Sequence, residues 1–190
     1  MRTHTRVKLI GFIGLPGSGK STALEVLENK APIVVMGGIV REEAKKRKLP
    51  ITGKNLGNIA KNLREELGPN AIAIKTAEKI RRIASETPQN NSPILIDGLR
   101  SVAEYDYFSK FWEIKLVYVE CPQKLRYQRM LDRKREDDSP EIAQLKTRDA
   151  REIKFGLLEL KDHADAIIHN ESSLETLKTR ILEVFIELTT

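Results

Sequence analysis

The chain has 190 residues, the length of one ordinary domain, and its 40% hydrophobic and 32% charged residues allow a buried core beneath a soluble surface. One cysteine, Cys121, excludes both an intrachain disulfide and a cysteine-based zinc cluster. The net charge of +6 points to a nucleic-acid or phosphate partner.

No run approaches the roughly 18 apolar residues of a membrane span. Residues 1–17 combine a basic start with an apolar patch, but Gly and Pro interrupt that patch and no small-residue cleavage site follows. The expected compartment is the cytoplasm, with no membrane partner.

In chain order, Val7–Ile13 is a short apolar run ending at Gly14 and reads as a buried strand. Ser21–Asn29 reads as a helix with Ala23, Leu24 and Leu27 on one face. Ile33–Met36 is a second strand, stopped by Gly37 and Gly38. Ile39–Lys48, Leu56–Leu67 and Ala71–Ser85 have helical periodicity, punctuated by Gly53, Gly68 and Pro69. Pro88–Pro93 is a loop. Ile94–Ile96 is a third strand, running into Asp97 and Gly98. Ser101–Lys110 is helical, and Ile114–Val119 is a fourth strand stopped by Pro122. Lys124–Lys134 and Pro140–Leu160 read as helices around an acidic turn, Glu136–Ser139. Ala166–His169 is a fifth strand. Ser172 and Glu175 form a capping box for a last helix with Leu174, Leu177, Ile181, Phe185 and Leu188 on its apolar face. Buried strands alternating with helices predict an α/β domain, a parallel sheet covered on both faces. Such sheets bind ligands at the carboxyl ends of their strands, where the motifs below fall.

Gly14, Leu15, Pro16, Gly17, Ser18, Gly19, Lys20 and Ser21 fit the pattern GxxxxGK[ST] in full, between a predicted strand and a predicted helix. The glycines let successive N–H groups turn inward onto phosphate oxygens, and the helix N-terminus adds partial positive charge. Lys20 can reach the β- and γ-phosphates, the Ser21 hydroxyl can take one Mg²⁺ position, and Thr22 can donate to the α-phosphate. The apolar strand ending in Asp97 supplies a carboxylate for metal or acceptor.

A GTPase would need an NKxD guanine reader and a DxxG switch, and neither is present. A transporter-type ATPase would need a long insert with its own signature. A small-molecule kinase remains, in which catalysis is mostly positioning and charge stabilisation. The arginines agree with it: Arg126, Arg129 and Arg133 share one helical face at i, i+3 and i+7, Arg135 follows, and Arg148 and Arg151 come after the acidic turn. Guanidinium forks suit phosphoryl groups. Arg41, Arg64 and Arg100 are candidates for gripping an acceptor phosphate, Arg64 with the alternative of a plain charged face. The bland readings are a solvated basic face for any one arginine, and surface or packing roles for His4, His163 and His169. Cys121 and the aromatics Phe108, Phe111 and Trp112 read as packed residues. The run Lys45–Lys48 reads as a solvated helix end.

With the phosphate loop, MGGIVR, DGLR and the RxxxRKREDD run in view, the sequence resembles the adenylate-kinase-like nucleoside monophosphate kinases, with dephospho-CoA kinase near in pattern. It looks most like the archaeal family often labelled adenylate-kinase-related or dephospho-CoA-kinase-like. The likeness runs from Ile10 to about Leu177 and includes Thr52–Ala73, Arg129–Glu152 and Ala164–Asn170. The resemblance implies a three-layer P-loop NTPase fold with five parallel strands in the order 2-3-1-4-5. It implies a helical acceptor-binding region over about 39–87 and a short lid over about 133–150. By likeness, Arg41 and Arg100 bind the acceptor phosphate, Arg129 packs on adenine, and Arg133, Arg135 and Arg148 close on the transferring phosphate. Residues 170–173, with Asn170, line the adenine pocket, and ATP with Mg²⁺ is the donor. Adenylate kinases and their relatives usually carry an Asp where this chain has Gly38, which leaves Asp97 as the main carboxylate.

The expected function is ATP-dependent phosphoryl transfer to a small phosphorylated metabolite, nucleoside-monophosphate-like or CoA-precursor-like. The alternatives are an ATPase or ATP-binding regulatory protein without an acceptor and, ranked low for want of an aromatic-basic motif, an RNA-associated protein.

Overall fold

Five apolar runs form one sheet in the computed structural model, which describes residues 7–86, 92–133 and 141–190, and for Arg133 the backbone alone. The strands are β1 (Lys8–Ile13), β2 (Ile33–Val35), β3 (Ile94–Asp97), β4 (Glu113–Glu120) and β5 (Ala166–His169). Every pairing is parallel, and the order is β2-β3-β1-β4-β5, as the resemblance implied. The helices are α1 (Lys20–Leu27), α2 (Gly37–Lys46), α3 (Gly53–Leu67), α4 (Ala71–Glu86), α5 (Val102–Ser109), α6 (Gln123–Arg133), α7 (Ile142–Lys154), α8 (Leu157–Lys161) and α9 (Leu174–Thr189). This is the three-layer α/β/α P-loop NTPase fold that the resemblance implies.

The strands are apolar on both faces because both are covered. Ile10 and Phe12 of β1 pack with Leu95 and Val117 against Ala23, Leu24 and Leu27 of α1 and Leu177, Ile181 and Val184 of α9. Leu9 and Ile13 point the other way, into a larger cluster with α2 to α5 and α8. Gly11 lies between them in β1, and a Cβ there would come within 2.8 Å of the Leu116 side chain. The register pairs Phe12 with Asp97 and Ile13 with Tyr118, so β1, β3 and β4 end side by side. That edge carries the site.

Most predicted elements stand within a residue or two of their expected ends, and the exceptions have physical causes. The helix predicted from Pro140 to Leu160 is two helices. Gly156, at φ 102, sits in the left-handed region that favours glycine and breaks the run between α7 and α8. α3 starts three residues before Leu56, because the Thr52 hydroxyl caps it by accepting from the Asn55 N–H at 3.2 Å. The capping box at Ser172 and Glu175 does not form. Ser173 is the cap, accepting from the Thr176 N–H at 3.2 Å, while Glu175 pairs with Lys178. The one-residue shift leaves Leu174 exposed and brings Val184 into the core. Pro88–Asn91, Lys134 and the acidic turn lie outside the described residues, as does Arg135.

Helices α6 and α7 meet over a small apolar cluster of Tyr127, Met130 and Leu145, and a buried ion pair joins them. Arg126 donates to both carboxylate oxygens of Asp149, at 3.0 and 2.6 Å, and the Tyr127 hydroxyl donates to Asp149 at 3.1 Å. The same Arg126 Nη1 donates to the Pro16 carbonyl at 2.9 Å. Helical spacing alone puts Arg126 on one face with the phosphate-facing arginines. At 3% exposure it is a structural tie instead, holding α6 and α7 to the loop after β1. Asp149→Ala is expected to cost about 3–5 kcal/mol, because it leaves a buried guanidinium unpaired. The double change Arg126→Met/Asp149→Leu is expected to cost less than Asp149→Ala alone. Denaturant unfolding of the two variants checks the order.

Candidate functional site

The loop from Gly14 to Gly19 follows β1 and opens α1. Gly14, Gly17 and Gly19 have φ of 143, 78 and 111, and neighbouring groups crowd each of them. A Cβ on Gly14 would strike the Val119 carbonyl oxygen of β4, and one on Gly19 would strike the Asn170 amide. On Gly17 it would come within 2.7 Å of the Arg126 carbonyl oxygen. The loop is therefore clamped by β4, by α6 and by the turn after β5, where the Asn170 amide donates to the Ser18 carbonyl at 2.7 Å. The Ser18 hydroxyl is buried with no hydrogen-bond partner.

Lys20, the first residue of α1, donates to the carbonyls of Gly14 at 2.6 Å and Leu15 at 3.0 Å. Burial lowers its pKa from 10.5 to about 8, against the opposing pull of Asp97 and then Glu152. Its ammonium thus lies across the loop mouth, with both carboxylates within electrostatic reach.

One cavity of about 410 Å³ opens from the loop, a volume in the range of small-ligand sites. Its first half is lined by Gly14, Pro16, Gly17, Gly19, Lys20, Ser21, Thr22 and Arg129. Its second half runs between α2, α3, α7 and the end of β3, and gathers Arg41, Arg64, Arg100, Arg148 and Arg151 over an apolar lining of Val40, Leu56, Ala60, Ile72 and Leu157. Asp97 and Glu152 also line the cavity. Leu15 packs against the core instead, and Ser18 and Asn170 act on the loop from behind.

Several of these side chains are held by neighbours. Arg129 donates to the Cys121 sulfur at 3.3 Å and to both Asn170 oxygens, at 3.4 and 3.3 Å. Arg64 is no plain surface charge. It pairs with the fully buried Glu104 at 2.6 Å, donates to the Ala60 carbonyl, and lies over the Phe155 ring at 4.4 Å. The second Glu104 oxygen accepts the Arg100 backbone N–H at 2.9 Å, and the Arg100 guanidinium lies 2.9 Å from Glu152. The side chain of Arg133 lies outside the described residues.

No group of three His, Cys, Asp or Glu side chains that could hold a metal occurs among the described residues. Mg²⁺ bound with a nucleotide needs only one or two protein oxygens beside phosphate and water. The Ser21 hydroxyl and the Asp97 carboxylate are hard oxygen donors lining one cavity, and they suit that role.

A family model described as an AAA domain matches residues 10–154. The UPF0200 protein of Methanocaldococcus jannaschii is 39% identical, covering 88% of this chain and 83% of its own. That of Pyrococcus furiosus is also 39% identical, over 88% and 90%. The chain belongs to the UPF0200 family. It spans only 56% of a longer relative, the UPF0200/UPF0201 protein of Archaeoglobus fulgidus, with 42% identity over 96% of this chain. Among solved structures it is similar to TT1252 of Thermus thermophilus, with TM-score 0.61, 21% identity and coverage of 97% and 100%. It is also similar to a gluconokinase from Sinorhizobium meliloti, with TM-score 0.55, 15% identity and coverage of 99% and 95%. At those identities the likeness is one of fold alone, a P-loop fold whose loop implies a bound nucleotide.

Three features of this UPF0200 site did not stand out in the sequence. Arg151 was only one of the arginines after the acidic turn; it is drawn inward, donates to the Gly53 carbonyl at 3.3 Å, and has its pKa lowered by burial. Gly57 of α3 makes room for it, since a Cβ there would strike the Arg151 guanidinium. Glu152 and Glu104 are buried carboxylates, at 3% and 0% exposure, in stretches that read as ordinary charged helices. The one available signal was spacing: Arg148, Arg151 and Glu152 lie at i, i+3 and i+4. Gly38 lies in the first turn of α2, where a side chain would meet nothing within 4 Å. Three carboxylates line the cavity, Glu25, Asp97 and Glu152.

The lowered Lys20 pKa has a stability signature. Between about pH 8 and 10.5 the unfolded chain keeps the Lys20 proton while the folded chain has lost it, so this group's contribution to stability rises with pH in that window. The melting temperature of the wild type relative to Lys20→Met is expected to increase from pH 8 to 10 in the absence of nucleotide. A flat difference would show that Lys20 is not desolvated.

Proposed function

We propose that this protein transfers the γ-phosphoryl group of ATP, with Mg²⁺, to a small phosphorylated acceptor of nucleoside-monophosphate-like or CoA-precursor-like kind. The observation that carries the reading is the continuity of the cavity. The phosphate loop opens directly into a second compartment lined by five arginines. An ATPase needs the first compartment but has no use for the second.

In this reading the loop N–H groups and Lys20 hold the β- and γ-phosphates, with Thr22 on the α-phosphate. Arg129 flanks the adenine, and Asn170, expected beside the adenine, holds Arg129 and the loop from behind. Residues 39–87 form the acceptor-binding region, where Arg41, Arg64 and Arg100 grip the acceptor phosphate. Residues 133–150 form the lid, and its arginines, Arg133 and Arg148, neutralise charge that develops during transfer. Mg²⁺, when bound, draws charge from the phosphates, and Ser21 and Asp97 are the residues that would hold it. Asp97 also stands where it can orient the acceptor. The acceptor oxygen attacks in line, its bond to the γ-phosphorus forms, and the bond to the bridging oxygen of ADP breaks. A cytoplasmic setting accords with ATP as donor.

The test is ATP turnover with and without a panel of phosphorylated acceptors, read as phosphate transferred to the acceptor. Transfer to at least one acceptor is expected, and Lys20→Ala is expected to lower it about a hundred- to a thousandfold, given the worth of one preorganised charge stabiliser. Turnover to ADP and free phosphate that no acceptor diverts would overturn the kinase reading in favour of an ATPase.

A further inference from the structure

Glu152 raises a question that phosphate binding does not answer. A buried carboxylate in a compartment built to hold anions balances the charge of the arginines, here Arg100, but it also repels the anion they attract. Asp97 already supplies a carboxylate at the end of β3, and Arg64 has its own partner in Glu104. Glu152 is 3% exposed, lines the cavity, and lies among Arg100, Arg148 and Arg151. Its Oε1 forms an ion pair with Arg100 at 2.9 Å and accepts no hydrogen bond. The Nε atoms of Arg64 and Arg151, two other cavity-lining residues, are also buried and donate none. Three of the five buried side-chain polar atoms without a hydrogen-bond partner among the described residues thus belong to this compartment. A buried polar atom without a hydrogen bond is costly, and such groups are usually completed by a ligand or water.

The pattern is that of a site waiting for a molecule with both oxyanion and donor character. We propose that Glu152 is a specificity-determining residue of the acceptor compartment, taking a hydrogen bond from an N–H or O–H group on the body of the acceptor. This deepens the kinase reading and rests on it. It narrows the acceptor to a nucleoside-monophosphate-sized molecule, in which the phosphate meets the arginines, a flat or apolar body lies along Val40, Leu56, Ala60 and Leu157, and a donor group reaches Glu152. The carboxylate also selects by repulsion. An acceptor that presents only a carbonyl or carboxylate oxygen at that point is repelled by the carboxylate and gives it no hydrogen bond.

The experiment is a double-mutant cycle between protein and ligand, read by calorimetric binding in the presence of a non-hydrolysable ATP analogue. The ligands are nucleoside monophosphates with and without one donor at a time: the base amino group replaced by oxo, the 2′-hydroxyl removed, or the 3′-hydroxyl removed. In the wild type, removing the group that meets Glu152 is expected to weaken binding about ten- to a hundredfold, the scale of a hydrogen bond to a charged partner. In Glu152→Gln the same removal is expected to change affinity less than about threefold, since a neutral amide loses the charge-assisted part of that bond. Glu152→Asp keeps the carboxylate and is expected to restore a preference for the donor. Glu152→Ala, with the same expected loss of preference, replaces Glu152→Gln in the cycle should the latter fail to show a cooperative thermal transition. Equal donor preferences in the wild type and variant, or no binding of any member, would overturn the proposal. A parallel transfer assay decides the kinase reading separately. Transfer with equal preferences removes only the role of Glu152, while binding without transfer removes only the kinase.

Discussion

The structure depends on a close approach of backbones around the loop after β1. Three glycines there have no room for a Cβ, because the Val119 carbonyl, the Arg126 carbonyl and the Asn170 amide press on them from three directions. The contacts tie one loop to β4, to α6 and to the turn after β5. A loop held this way is preorganised for phosphate, since its N–H groups need not reorient when a nucleotide arrives. The Arg126–Asp149 pair extends the constraint to α7, and so to Arg148, Arg151 and Glu152. The two halves of the cavity are thereby built on one frame.

The positive charge of the chain takes on a definite meaning in this frame. Read from composition, the net charge of +6 suits nucleic acid as well as a phosphate ligand. In the fold, Lys20 and six arginines line one cavity, and three of those arginines contact a buried carboxylate, a ring or a sulfur. Such a set is shaped for compact phosphate groups rather than for an extended backbone. The run Lys45–Lys48 stays apart from it, at the exposed end of α2.

The sheet and the loop were legible in the sequence because both are local. A short apolar run bounded by Gly or Pro reads as a buried strand wherever it occurs, and GxxxxGK[ST] needs only eight consecutive residues. Arg126 shows where such reading fails. Its spacing with Arg129 put it on a shared face with the phosphate arginines, but its partner Asp149 lies 23 residues away and draws it into the core. Glu104 and Arg64, 40 residues apart, are hidden in the same way. Gly57 is the plainest case: a helical glycine has no local reason, and the reason here is an arginine on another helix. The break at Gly156 and the cap at Ser173 were missed because a periodic pattern does not report the one residue at which the backbone turns. Gly38 was singled out as a departure from the resembled kinases, and its open surroundings show that the fold itself asks nothing of that position.

The central claim is that donor and acceptor phosphates share one cavity. The most direct test is calorimetric binding of a dinucleoside polyphosphate, which joins an ATP-like and a nucleoside-monophosphate-like half through their phosphates. If both compartments are filled at once, it is expected to bind at least about a hundredfold more tightly than ATP, because the second half binds intramolecularly. Arg100→Ala should remove most of that advantage. Affinity no greater than that of ATP would contradict the account.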